Sequence, residues 1–219
     1  MPEKLNEIEA RIVGSLVEKQ LTTPEYYPLT LNALVNACNQ KSNRDPVVSY
    51  DETTVTYALE VLRDRNLVYV FYGSTSRVPK YKHMLPTVYE LEPSEVAVIS
   101  VLLLRGPQTI GELRTRTDRL YEFSGLGDVQ ETLDGLARRD EPLVTRLERL
   151  PGQKEARFMH LLSGDIDVEA IAAAHAVSHA RGRGVGAERI EQLEEEVASL
   201  RAEVEGVKQT FEEFKKQFE

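Results

Sequence analysis

The fold is decided by residues 51–86, which read DETTVTYALEVLRDRNLVYVFYGSTSRVPKYKHMLP. Asp51 is a typical helix N-cap, and apolar residues then recur three or four positions apart, which predicts a helix with one buried face. The apolar residues of this face are Val55, Ala58, Leu59 and Leu62. A β-rich run at 67–72, turn-forming residues at 73–76 and a second run at 80–85 follow, and together they predict a hairpin.

Two further helices are predicted before this stretch. The first covers about residues 4–19 and ends at Thr22-Thr23-Pro24, because proline cannot continue a helix. Thr30 is the expected N-cap of the second, which covers about Leu31–Asn39. Three helices followed by a hairpin form the plan of a winged-helix domain.

The same plan repeats further along the chain. The predicted elements are a helix over Ser94–Arg105, a short helix capped by Thr109, a third helix capped by Asp128, and strands over 143–149 and 156–162. We therefore predict an α+β, mainly helical protein with a winged-helix domain at residues 1–90 and a second at residues 91–164, each with its own core.

For the rest of the chain, the sequence pattern predicts a helix and linker at 165–185 and a coiled coil at 186–219. From Ile190 the apolar residues alternate spacings of three and four, which is the pattern of a coiled-coil seam. The seam residues are Ile190, Leu193, Val197, Leu200, Val204 and Val207. β-Branched residues alternating with leucine favour a parallel two-stranded coil, so we predict a homodimer. The alternative is an amphipathic helix that folds back on its own domain.

Composition and charge limit the possible partners. The net charge is −9, of which residues 165–219 contribute −6, so both predicted domains are near neutral and a DNA-binding patch would have to be local. A single cysteine excludes an internal disulfide framework. Neither a run of about 18 apolar residues nor a signal peptide is evident, so we predict a cytoplasmic protein that does not enter the membrane.

Candidate nucleic-acid contacts follow from the predicted fold, in which the third helix enters the major groove and the hairpin, or wing, touches the backbone. The candidates in the first domain are Lys41 and Arg44 in the polar loop, Thr54, Tyr57 and Arg63 on the third helix, and Arg77, Lys80 and Lys82 on the wing. The counterparts in the second domain are Gln130, Arg138, Arg139, Arg149, Lys154 and Arg157. Carboxylates on both third helices argue against DNA, and the polar loop residues can instead cap neighbouring helices.

Catalytic patterns are weak. Cys38 falls on an apolar helix face, which predicts a core thiol. His175 and His179 are four residues apart, but no third metal ligand is evident nearby. We predict no enzyme, no cofactor and no metal site. The hypotheses are a homodimeric regulator that binds double-stranded DNA, and an adaptor that binds a protein partner.

Several stretches also resemble a known family. They are residues 27–47, Glu18-Lys19-Gln20 with Thr22-Thr23-Pro24, and residues 102–106, 111–114 and 157–161. They resemble the YceH family of uncharacterised bacterial proteins over about residues 7–164. The resemblance implies a tandem winged-helix fold and carries over no catalytic residues, since the family has no settled activity. A DNA-binding role for it would rest on analogy of fold.

Overall fold

A computed structural model describes residues 4–72, 78–149 and 155–164, all of which lie in one compact unit, Met1–Ile166. It confirms an α+β chain. The described helices are α1 Glu7–Thr22, α2 Leu31–Cys38, α3 Glu52–Asp64, α4 Leu85–Tyr89, α5 Pro93–Arg105, α6 Ile110–Thr117 and α7 Leu126–Ala137, with a 3-10 turn at Pro24–Tyr26. The described strands are β1 Leu29–Thr30, β2 Val68–Tyr72, β3 Pro79–His83, β4 Val144–Arg146 and β5 Phe158–His160.

Three predicted helix caps are confirmed. The Thr30 side chain accepts the backbone N–H of Ala33, and Asp51 does the same for the N–H of Thr54 at 2.7 Å. Thr109 and Glu112 form a reciprocal capping box at the start of α6. These bonds satisfy backbone donors that have no partner inside the helix, and so they fix where each helix begins.

The predicted cap at Asp128 is wrong. Helix α7 begins at Leu126 after an extended Gly125, so Asp128 lies inside the first turn. Its carboxylate accepts the backbone N–H of Ser124 at 3.1 Å and also bonds the Ser124 hydroxyl. A carboxylate in the first turn suits the positive end of the helix dipole, and this one also fixes the turn before the helix.

The two halves share a register as well as an order of elements. The first sheet has the order β1-β3-β2, and the second is the antiparallel pair β4-β5. The equivalent cross-strand pairs are Val68↔His83 with Val144↔His160, and Leu29↔Tyr81 with the isolated bridge Gln108↔Phe158. Each half therefore consists of a long helix, a short extended segment, two helices and a hairpin, and β1 and α4 are elements that the sequence did not predict.

The halves do not have separate cores. A single buried apolar cluster contains side chains from both, and α1 and α5 pack at its centre. All residues from Glu9 to Glu18 and from Val96 to Leu104 are buried. The two helices lie close together at Gly14, where a Cβ atom would lie 2.9 Å from Leu104 Cγ. The expectation of one core per half therefore differs from the structure.

The ends of the described unit lie side by side. The backbone N–H of Leu5 donates to the carbonyl of Leu162 at 2.8 Å, and Lys4 Nζ donates to the carbonyl of Leu161 at 3.3 Å. The N-terminal segment thus contacts the second half before the chain enters α1.

Candidate nucleic-acid interface

Helix α3 has one buried face and one open face. Val55, Leu59 and Leu62 lie in the core, which turns the opposite side of the helix outward. Tyr57 lies on that side and is 71% exposed, while Arg63, exposed, and Thr54, partly buried in the first turn, lie on the two flanks of the helix. We call these three residues the α3 surface. It offers a cation, a hydroxyl and an aromatic ring, which suit contacts to phosphates and base edges.

The register of the hairpin places the predicted wing lysines on a different surface. Lys82 lies opposite Tyr69 and Lys80 opposite Phe71, and because paired residues point to the same side of a sheet, these four share one face. Tyr69 is 60% and Phe71 46% exposed. We call this set, Tyr69, Phe71, Lys80 and Lys82, the outer sheet face.

The other side of this sheet faces the core and α3. Val68, His83 and Leu29 lie there and are buried. Tyr81 shares that side, and its pKa is raised above the usual value mainly by burial, with smaller influences from Tyr72, Arg63 and Glu60. The α3 surface and the outer sheet face therefore lie on opposite sides of the hairpin. The alternation of Tyr69 and Phe71 with the valines could have shown this in the sequence, but the two aromatics were not singled out.

The two candidate cations of the polar loop after α2 differ in burial. Lys41 is exposed, as a nucleic-acid contact requires. Arg44 is not, because its side chain is fully buried and donates to Glu18 Oε1 and Oε2 at 3.0 and 2.6 Å and to the carbonyl of Ala37 at 2.9 Å. The structure thus assigns Arg44 to the interior, where it ties the loop to α1, and removes it from the candidate interface.

The ion pair of Arg44 with Glu18 and the hydrogen bonds of Asn39 with Tyr50 both fix the same loop. Burial alone would raise the pKa of Glu18, but hydrogen bonds and charge from Arg44 outweigh it and hold that pKa below its usual range. Asn39 closes the loop by donating to the carbonyl of Tyr50 and accepting its N–H, at 2.7 and 2.8 Å. Asn39 therefore ties the end of α2 to Tyr50, the residue before the N-cap of α3.

The chain also matches a known protein family. A family model described as "Protein of unknown function, DUF480" matches residues 5–153. The chain belongs to the DUF480 family. It is 52% identical to a UPF0502 protein of Pelobacter propionicus and 50% identical to one of Geobacter sulfurreducens, with 98% of both chains covered in each case. It is also 54% identical to a UPF0502 protein of Opitutus terrae, over 90% of this chain and 83% of the relative. The resemblance to the YceH family is thereby confirmed.

In this DUF480 protein several cations of the second half are engaged within the fold. Arg139 donates to the carbonyl of Tyr89 and to Glu95, and Arg157 donates to Glu112, with distances of 2.6 to 2.7 Å. The outward positions of α7 are Leu126, Gly127, Asp128, Glu131, Gly135 and Ala137, none of which is a cation. Carboxylates and glycines on that helix offer little to a phosphate backbone.

The remaining second-half candidates are more open. Gln130 donates to Asp134, which also pairs with the exposed Arg138. Arg149 is exposed and, with other residues, lines an open cavity of about 320 Å³ beside the second hairpin.

Some predicted residues fall outside the described part of the DUF480 chain. They are Arg77, Lys154, His175 and His179, and the predicted seam residues Ile190, Leu193, Val197, Leu200, Val204 and Val207. The exposed or half-buried candidates of the first half, within the described residues, therefore lie on the α3 surface, on the outer sheet face and at Lys41.

Cys38 is buried, as predicted, and burial raises the pKa of its thiol to about 11, which keeps it protonated. Among residues 4–72, 78–149 and 155–164 there is no group of three or more His, Cys, Asp or Glu side chains arranged to hold a metal ion. Within the same ranges, no helix combines the length and apolar character required to cross a bilayer.

Proposed function

We propose that this protein is a non-catalytic, homodimeric winged-helix protein that binds double-stranded DNA through the α3 surface, as a transcriptional regulator does. The observation that carries the proposal is the open face of α3, where Tyr57 and Arg63 stand exposed while the opposite face is anchored in the core. A rigid, one-sided helix of this kind is what major-groove recognition requires.

The repeated order of elements supports the winged-helix part of the proposal. In each half a short extended segment pairs with the returning strand of the hairpin, and two helices lie between them in the chain. We assign one winged helix to residues 1–90 and a second to residues 91–164, joined through α1 and α5. The first half is favoured as the DNA-binding one because α3 exposes the cation Arg63, whereas α7, Leu126–Ala137, contains no lysine or arginine.

Binding to fragmented genomic DNA, followed by fluorescence anisotropy at roughly 50 and 200 mM salt, tests the proposal. We expect Arg63→Gln to weaken binding about tenfold and to reduce the salt slope by about 0.9, as for one lost phosphate contact. Glu60→Gln, which removes an exposed carboxylate from the same helix, should strengthen binding. The matched control is Lys4→Gln, which removes one exposed positive charge far from α3 in sequence. No binding at the lower salt, or equal effects of Arg63→Gln and Lys4→Gln, would refute DNA recognition by α3.

The dimer rests on the heptad spacing alone and has its own test. Sedimentation velocity of the intact chain should give a dimer, and Leu193→Asp with Leu200→Asp should convert it to a monomer, because charges in the seam abolish its packing. A monomeric wild-type chain would favour the helix that folds back on its own domain. It would refute the dimer and would leave the proposal of DNA binding by the α3 surface unchanged.

A protein-binding adaptor is the second candidate, and the carboxylates of α3 favour it. Glu52, Glu60 and Asp64 are exposed on the helix that carries Arg63, and charges of both signs suit a protein surface better than a polyanion. Affinity capture from cell extract with and without nuclease distinguishes the two functions. A partner retained after nuclease supports the adaptor, whereas complete loss of partners rejects it.

A further inference from the structure

The outer sheet face exposes two aromatic rings beside two cations. Tyr69 and Phe71 alternate with buried or half-buried valines on β2, so both rings point away from the core. Lys82 and Lys80 lie directly opposite them on β3. Residues two apart on a strand are separated by about 7 Å, which leaves each ring open to a ligand of its own.

The charge of this sheet has one sign, although the whole chain is acidic. Strands β1, β2 and β3 contain no aspartate or glutamate, and Lys80 and Lys82 are their only lysines or arginines. Within the described residues, neither lysine has a carboxylate at salt-bridge distance. In a protein of net charge −9, this face is therefore a local site for an anion.

The second hairpin shows that the fold does not need these residues. By register, Thr145 and Met159 occupy the positions of Tyr69 and Lys82. Arg157 occupies the position of Lys80, but there Glu112 holds it at 2.7 Å. The same architecture thus forms without exposed rings and with its cation neutralised, so packing does not explain the outer sheet face.

We propose that the outer sheet face binds single-stranded nucleic acid, with bases stacked on Tyr69 and Phe71 and phosphates contacting Lys80 and Lys82. Aromatic rings on an open sheet present flat surfaces to bases that are not paired, and neighbouring cations follow the backbone. Paired bases in a duplex do not expose their faces, which selects the single-stranded form. This goes beyond the duplex-binding proposal, because the site lies on the side of the hairpin away from α3.

The test uses the intact chain and a fluorescein-labelled oligothymidylate of about 15 nucleotides, within the site sizes of proteins that stack single strands. We expect Tyr69→Ala with Phe71→Ala to weaken binding at least about thirtyfold, since two stacked bases are lost, without changing the salt slope. Lys80→Gln with Lys82→Gln should also weaken binding and should reduce the slope by about 1.4, or 0.7 for each lost phosphate contact. Both pairs are on the surface, and circular dichroism checks that the variants fold.

Tyr57→Ala is the matched control, since it removes an exposed ring from the α3 surface. It should leave oligothymidylate binding unchanged, while the Tyr69 and Phe71 pair should leave duplex binding unchanged. A wild-type protein that binds oligothymidylate but not duplex DNA would overturn the proposed function. A wild-type protein that binds duplex DNA but not oligothymidylate would overturn this inference.

A second measurement reports stacking directly. The chain has no tryptophan, so Phe71→Trp introduces a single tryptophan, which can be excited selectively over the nine tyrosines, and preserves an aromatic ring. Base stacking should quench its fluorescence when oligothymidylate binds. Binding of the oligonucleotide without quenching would contradict the proposal. The proposal would also be contradicted if the wild-type protein did not bind oligothymidylate and instead bound an acidic protein through these four residues.

Discussion

At the scale of single residues, Glu18 and Arg44 meet inside the first half, and removing Glu18 leaves the buried Arg44 guanidinium without its carboxylate partner. We expect Glu18→Gln to lower the free energy of unfolding by about 3 kcal/mol, because the Arg44 guanidinium stays buried. Urea denaturation measures the change, with the exposed Glu25→Gln as the control. A loss no larger than that of the control would mean that the pair contributes nothing to stability.

Two histidines at equivalent places in the halves give a pH prediction. Burial lowers the pKa of both His83 and His160 to about 4, so they stay neutral in the folded protein while their unfolded forms take up protons near pH 6.5. Stability should therefore be full above about pH 6.5 and fall as the pH drops towards 4, by about 3 kcal/mol for each histidine.

Urea midpoints measured at steps from pH 7.5 to 4.5 test this expectation. Replacing both histidines by glutamine should flatten the dependence in that window, even if the variant is less stable throughout. An equally steep loss in the variant would assign the acid sensitivity to the carboxylates.

At the scale of elements, the crossing of α1 and α5 depends on Gly14. A methyl group there would lie 2.9 Å from Leu104 Cγ and 3.1 Å from Leu103 Cβ. We expect Gly14→Ala to destabilise the protein by about 1–3 kcal/mol through overpacking, against the usual gain from alanine in a helix. The control is Gly111→Ala in α6, where nothing lies within 4 Å of the added atom, and which should stabilise by about 0.5 kcal/mol. Effects of the same sign would contradict this account.

The sequence predicted most of these elements because their causes are local. Apolar spacing and the caps Thr30, Asp51 and Thr109 set α2, α3 and α6 without help from distant residues. Strand β1 escaped prediction because its two residues form a strand only by pairing with β3. Asp128 was misplaced because its partner, Ser124, precedes the helix rather than lying within it.

The candidate site was harder to predict for the same reason. Whether a cation binds a ligand or a buried carboxylate depends on contacts between residues far apart in the chain, such as Glu18 and Arg44, which are 26 positions apart. The separation of Lys80 and Lys82 from the α3 surface likewise follows from strand register, which single-residue arguments do not supply.

At the scale of the whole molecule, the shared core predicts that both halves unfold together. Leu133 is fully buried in the second half, in the same cluster as Leu59 of the first. We expect Leu133→Ala to cost about 2–5 kcal/mol and to lower amide protection equally in both halves. Hydrogen exchange followed by mass spectrometry measures this directly. Protection lost only from the second half would restore the picture of two independent domains.

The hydrogen bond from Leu5 to Leu162 also has a topological consequence. Because the two ends of the described unit meet, this unit is suited to circular permutation. A short peptide could join the two ends, and new termini could be made in an exposed loop such as Lys41–Asn43. The same geometry affects the response to force. A force applied at Leu5 and Leu162 acts first on the hydrogen bond between them. We therefore expect the unit to unfold progressively from its two ends, without α1 and α5 first sliding past each other.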